Sequence, residues 1–328
     1  MCWSVHSPIS PPVSKVSELA RDSADKAGWI LLGPAFVAAI AYVDPGNVAA
    51  NISAGTQFGY LLLWVIVAAN VMAGLVQYLS AKLGLVTGRS LPEAIGERMR
   101  RPTRLAYWAQ AEVVAISTDV AEVVGGAIAL RILFGLPLPV GGIITGVISL
   151  LLLTIKDRRG QRLFEAVITG LLMVIALGFT ASFFVATPPA GEVLSGLVPR
   201  FHGSQSVLLA AAILGATVMP HAVYLHSGLS RDRHGHPEPG PTRRRLLRIT
   251  RWDVGVAMVI AGGVNASMLL VAAFNMRGQG GIGSIEDAHV AVRDTLGPTV
   301  AVLFAIGLLT SGLASSSVGA YAGAMIMA

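Results

Sequence analysis

Three groups of residues in this sequence place polar chemistry where it is hard to keep. Asp44-Pro45-Gly46-Asn47 interrupts an apolar run, and Met219-Pro220-His221 interrupts another. Proline removes a backbone donor and clashes with the preceding turn, and glycine loosens the dihedrals, so both runs should break as helices at these points. Such breaks expose backbone carbonyls, here those of Ala41 and Ala216. Asp44 adds a hard anionic oxygen, Asn47 a neutral amide oxygen and Met219 a soft thioether. Oxygen-only sites suit magnesium and calcium, and sulfur moves the preference toward softer ions, so this mixed set points to manganese or iron(II), with cadmium tolerated. The simpler alternatives are a proline kink capped by Asp44 and a Met219 that only fills the core. The third group is Glu112, Asp119 and Glu122, whose spacing of seven and then three residues puts them on one helical face. Acids inside an apolar span normally line a polar interior and serve proton relays. Glu112 also reads as a wet acid at the membrane edge. His221 titrates near neutral pH and is a candidate proton carrier; it reads equally as a histidine bonded to a neighbouring carbonyl. For His226, farther along the same half-helix, both readings stand.

The elements that would position these groups are membrane spans. Of the 328 residues, 54% are apolar and 13% are charged, against about 25% charged in an ordinary soluble domain. Mean hydropathy is +0.68. The apolar residues come in blocks of roughly 20, enough to cross ~30 Å of hydrocarbon as helices, whereas barrel strands would be half as long and alternating. The blocks predict spans over 29–52, 60–84, 106–130, 138–155, 164–186, 206–229, 253–274 and 299–328. Residues 1–28 form a charged tail with no apolar segment of the kind a cleaved signal peptide requires. The connections after spans 2, 4 and 6 hold sixteen Lys and Arg, and the opposite ones hold four. That bias predicts a cytoplasmic N-terminus in the cytoplasmic (inner) membrane. It also explains the pI near 9.8 by topology and excludes nucleic acid as a partner. The Arg-rich 231–251 segment, with His234 and His236, reads as a solvated linker. One cysteine, Cys2, excludes a disulfide framework or an iron–sulfur site within the chain.

Aligned on their prolines, residues 41–47 and 216–222 share Ala41 with Ala216, Val43 with Val218 and Pro45 with Pro220. The breaks lie five spans apart, an odd number, so the two segments run oppositely through the membrane. This is the pattern of an inverted-repeat carrier, whose site forms where two discontinuous helices meet at the midplane. The first repeat covers 29–186, and 206–328 begins a second, incomplete one.

These motifs, with the acid pair in Ser117-Thr118-Asp119-Val120-Ala121-Glu122, resemble the natural resistance-associated macrophage protein (Nramp) family of divalent metal transporters, bacterial manganese-transporter type. The resemblance spans about 25–328. It implies an all-α fold like that of the bacterial sodium/amino-acid symporters, with discontinuous helices 1 and 6, and proton-coupled import of manganese or iron(II) as substrate, with no cofactor. It further implies that Asp44, Asn47, Met219 and the Ala216 carbonyl hold the ion, that Ala41 contributes in some states, and that Asp44, Asp119, Glu122 and His221 carry protons. Family members have about eleven spans, so the chain reads as truncated in its eighth.

Other functions compete. A sodium- or proton-coupled carrier of a small organic substrate would share the fold, but it has no use for an Asp–Met pair. A metal channel, a metal sensor or a non-transporting metal-binding fragment would share the ligands. An intramembrane enzyme has no support: HExxH is absent, and no Ser or Cys is paired with a base at helical spacing. The partners implied are divalent metal ions, protons and the lipid bilayer, with the oligomeric state left open.

Overall fold

The apolar blocks form helices, and the two proline motifs break them. The computed structural model describes residues 33–185, 188–277 and 284–327; the charged tail 1–28 lies outside them. Among the described residues the regular structure is helical, with no strand. The first span divides into α1 (Pro34–Ile40), a 3₁₀ turn (Ala41–Val43) and α2 (Pro45–Phe58), with extended backbone at Asp44. A long α3 (Leu63–Thr87) and a short α4 (Leu91–Arg98) lead to α5 (Arg101–Phe134), α6 (Leu138–Arg159) and α7 (Gln161–Val185). After a short α8 (Ala190–Ser195) the second broken span forms α9 (Gly203–Thr217) and α10 (Pro220–His234). Then come α11 (Pro241–Asn275), α12 (Ile285–Leu296) and α13 (Pro298–Met327).

Six helical stretches among the described residues, two of them interrupted, are long and apolar enough to cross a membrane, and Pro34–Val43 and Leu138–Thr154 are shorter apolar helices. Over the described residues, the eight predicted spans fall on these helical elements. The 231–251 segment departs from expectation. α10 runs on to His234 and α11 starts at Pro241, so only 235–240 is non-helical and the arginines from Arg243 onward sit on a helix. At 1.5 Å per residue α11 is about 50 Å long, so its basic end extends beyond the hydrocarbon.

The two broken spans are antiparallel. α9 packs on α2, and α10 packs on α1, so the leading half of one lies along the trailing half of the other. α11 covers α2 and α3 from one side, and α13 runs along α5 and α7 on the other. Large apolar side chains such as Val113, Ile116 and Val120 on α5 and Ile143 and Val147 on α6 point outward, as the lipid-facing surface of a span must.

The connections sort by side, as the charge count requires. Arg231, at the end of α10, donates to both Glu93 oxygens at 2.5 and 2.6 Å, and the Leu91 amide donates to Ser227 Oγ at 2.8 Å. Gln161 Nε2 donates to the Leu229 carbonyl at 3.1 Å, and Arg233 pairs with buried Glu165. The connections after spans 2, 4 and 6 therefore meet on one face. At the other face the Trp64 amide and indole donate to the Gly196 and Arg200 carbonyls at 3.0 and 3.3 Å, joining the connections after spans 1 and 5. The first amides of α1 have no local cap. Asp253 of α11 accepts instead, from Gly33 at 3.4 Å and Ala35 at 3.2 Å.

Candidate metal centre

The two breaks meet. Asp44 is the N-cap of α2, and its Oδ1 accepts from the Asn47 amide at 2.7 Å. Asparagine 47 lies one turn into α2, so its side chain folds back over the break. As placed, its Nδ2 donates to Asp44 Oδ1 at 2.6 Å and to the Ala216 carbonyl, from the other broken span, at 2.9 Å. Its Oδ1 lies 3.1 Å from Thr217 Oγ1, whose single proton is also within reach of the Ile213 carbonyl at 2.7 Å. Met219 caps α10 ahead of Pro220, and its side chain packs with Ala41 and Ala222 in one small apolar cluster. Asp44, Asn47, Ala41 and Met219 are all 5% exposed or less.

The five sequence-predicted ligand positions thus lie at the two breaks, with Asn47 joining Asp44 to Ala216 and Met219 packing on Ala41. The Asn47 NH₂ group sits between two oxygens, a carboxylate and a carbonyl, where a cation would bring those oxygens together. A half-turn of the amide turns Oδ1 toward them and leaves Nδ2 to donate to Thr217, whose hydroxyl still donates to Ile213. The same atoms therefore accommodate either orientation of the amide. Among the described residues no three His, Cys, Asp or Glu side chains gather as a metal-binding group. The polar groups at the breaks are one acid and neutral donors.

The span 3 acids stand beside this point. Gly125 of α5 lies against the ring of Pro45, where a β-carbon would overlap it, so α5 comes directly onto the start of α2. Glu122 lies one turn earlier and is fully buried. Neither of its oxygens has a partner of normal hydrogen-bond geometry among the described residues, and the nearby Ser315 hydroxyl is given to the Ser311 carbonyl at 2.7 Å. Asp119 is half-buried on the same face. Gly319 of α13 backs onto both acids: a β-carbon there would overlap Asp119 Oδ1 and come within 3.2 Å of Glu122 Oε2. His221 is 3% exposed, two residues beyond Met219, with both ring nitrogens unpartnered among the described residues. Buried acids and imidazoles inside a span are groups through which a proton could move. Glu112 lies two turns down α5 and is half-buried, away from the breaks. His226 does not turn toward the candidate ligands: its Nδ1 meets Gln77 Oε1 at 2.7 Å.

Several residues escaped the sequence reading. Thr217 holds the Asn47 amide, Asn265 holds the Tyr42 carbonyl at 2.7 Å, and Ser311 holds the Val43 carbonyl at 2.5 Å. Asn51 and Asn265 each begin a glycan-acceptor triplet, but both are buried within helices. An amide buried in lipid must find a partner, and that rule pairs them: Asn51 Nδ2 donates to Asn265 Oδ1 at 2.8 Å.

A pair of antiparallel broken helices packed together, inside a bundle of membrane spans and with polar ligands at both breaks, defines an inverted-repeat membrane carrier like the bacterial sodium/amino-acid symporters. The sequence profile described as "Natural resistance-associated macrophage protein-like" matches residues 35–328, and the chain belongs to that family. It is 81% identical over 316 residues to the Divalent metal cation transporter MntH of Mycobacterium tuberculosis, covering 96% of this chain and 74% of that one. It is 50% identical over 300 residues to the protein of the same name in Bacillus subtilis, covering 90% and 70%. The crystal structure of the Eremococcus coleocola manganese transporter superposes with a TM-score of 0.83 at 32% identity, over 93% of this chain and 66% of that one. The chain thus spans about two thirds to three quarters of these relatives, which are named as transporters rather than enzymes.

Proposed function

We propose that this protein imports divalent transition metal ions, manganese and iron(II), into the cell across the cytoplasmic membrane, coupled to protons, with its N-terminus in the cytoplasm. Asp44, Asn47, Met219 and the Ala216 carbonyl hold the ion, and Ala41 contributes its carbonyl in part of the cycle. Protons leave Asp44 through Glu122, Asp119 and His221, with Glu112 and His226 at the outer reaches of the route. Residues 29–186 form the first repeat, and 206–328 belong to the second.

One observation carries this reading: the Asn47 amide bridges a carboxylate of one broken span and a carbonyl of the other. Two negative oxygen ends from different helices approach one point that a divalent cation can occupy in place of the amide. The thioether of Met219 beside them turns the preference away from calcium and magnesium. Coupling follows from the same carboxylate. A cation favours the ionised form of Asp44, so metal arrival displaces any proton held there; Glu122, whose charge is felt by Asp44, and His221, two residues beyond Met219, are the groups that would receive it.

The organic-substrate alternative is weaker at this site. Carriers of that kind present a free half-helix N-terminus to a substrate carboxylate, whereas here the Asp44 side chain itself caps α2. The channel and the non-transporting alternatives are separated from a carrier by counterflow. In liposomes preloaded with unlabelled manganese, external tracer manganese should accumulate transiently above equilibrium. Tracer that only equilibrates indicates a channel, and tracer that stays outside indicates a binding protein without transport.

A further inference from the structure

Tyr42 lies inside the first break, two residues before Asp44 and one after Ala41, with its side chain fully buried. We infer that it is a positioning residue for the metal centre, held at both of its polar ends by a buried thread that crosses four helices. The inference rests on the metal site proposed above and adds residues that supply no ligand to it.

At one end the Tyr42 carbonyl accepts from Asn265 Nδ2 of α11 at 2.7 Å, and Asn265 Oδ1 accepts from Asn51 Nδ2 of α2 at 2.8 Å. The order of these amides is forced. A carbonyl only accepts, so Asn265 must turn its NH₂ group toward Tyr42, and its remaining oxygen faces the Asn51 donor. At the other end Gln77 Nε2 of α3 donates to the Tyr42 hydroxyl at 2.5 Å, and Gln77 Oε1 meets His226 Nδ1 of α10 at 2.7 Å. The hydroxyl and the imidazole can each donate or accept, so Gln77 serves both with its two ends, one to Tyr42 and one to His226. All five side chains are 2% exposed or less.

The next carbonyl is held in the same manner: Ser311 of α13 donates to Val43 at 2.5 Å. Thus the last two peptide units before Asp44 are oriented by side chains of α11 and α13, not by a helical ladder. The hydroxyl end ties the same residue to α3 and, through His226, to α10, the half-helix that Met219 caps. The thread therefore fixes the first break relative to the second, and the Asp44 carboxylate relative to Met219. Releasing either end frees the Tyr42 peptide to rotate, and Asp44, two residues on, moves with it. The ligands remain, but their spacing loosens, so affinity for the ion falls without any ligand being removed.

The test uses the full chain in lipid nanodiscs and manganese as the probe. Asn265→Leu keeps the volume and removes the donor to the Tyr42 carbonyl. Tyr42→Phe removes only the hydroxyl. The inference predicts that manganese binding weakens about tenfold in Asn265→Leu and about threefold in Tyr42→Phe. Half-saturation for uptake should rise by the same factors, with maximal rate and pH dependence unchanged. If both variants bind manganese within twofold of the parent, the thread does not position the site. If maximal rate falls while half-saturation stays, the thread serves the conformational change instead, and the inference is equally overturned. Loss of folding in both variants would also overturn it, making the thread a support of the fold. A parent chain that binds no manganese would count against the metal site itself, whatever the variants do.

Discussion

Replacing Asp44 by asparagine removes one charge and leaves most of the local structure standing. Asparagine caps helices about as well as aspartate, and its oxygen can still accept from the amide and the side chain of Asn47, the two bonds now made at 2.7 and 2.6 Å. The fold should therefore survive. The metal should not. Two unit charges ~4 Å apart at an effective permittivity of about 20 interact by ~4 kcal/mol, and a divalent ion at direct ligand distance exceeds that figure. Taking it as a lower bound, and about 1.4 kcal/mol per decade, manganese affinity should fall at least about a thousandfold. Titration calorimetry at fixed pH, with circular dichroism to confirm that the helices persist, measures it. A folded Asp44→Asn protein whose dissociation constant lies within tenfold of the parent would refute the electrostatic reasoning and remove Asp44 from the site.

Three further outcomes are expected. Met219→Ala should let calcium compete with manganese while manganese binding stays within about an order of magnitude; competition by calcium no better than in the parent would remove Met219 as the selectivity element. Asp119→Asn and Glu122→Gln should leave manganese binding largely intact and weaken metal-linked proton movement, and if both move metal and protons like the parent the span 3 acids are structural. At the face where Arg231 meets Glu93, partial burial works to raise the Glu93 carboxyl, but its hydrogen bonds from Arg231 outweigh this and hold it below the usual glutamate range. A depressed carboxyl stabilises above its unfolded value, and that contribution is lost as pH falls below about 4.3 through the folded value. Glu93→Gln should therefore flatten the acid limb of a melting-temperature profile by less than about 1 kcal/mol, the range of a largely exposed pair, and an unchanged limb would deny the link.

Much of this was legible because lipid leaves few choices. Blocks of about 20 apolar residues must be helices, and the eight spans fall where the sequence puts them. The Asp44-Pro45 and Met219-Pro220 breaks were legible because proline cannot continue the ladder. Their five-span separation predicted the antiparallel pairing seen between α9 and α2 and between α10 and α1. The partners of the freed carbonyls were not legible. Asn265 reaches Tyr42 across 223 residues and Ser311 reaches Val43 across 268, and no local pattern encodes such distances. The amide of Asn47 shows a second limit: its type announces a ligand, but its bridging pose depends on Ala216 of another span. The 231–251 segment misled because its arginines read as solvated coil, although arginine is a good helix former and Pro241 is a favourable first residue of α11.

The central claim is that metal and proton pass through one carboxylate-centred site, and paired flux measures it most directly. The protein would be reconstituted in liposomes holding a metal-sensitive and a pH-sensitive dye, with manganese added outside at a fixed inward proton gradient. The account predicts saturable manganese entry accompanied by acidification of the interior, with both signals lost together in Asp44→Asn. Manganese entry with no metal-linked acidification, or entry that persists in Asp44→Asn, would contradict it.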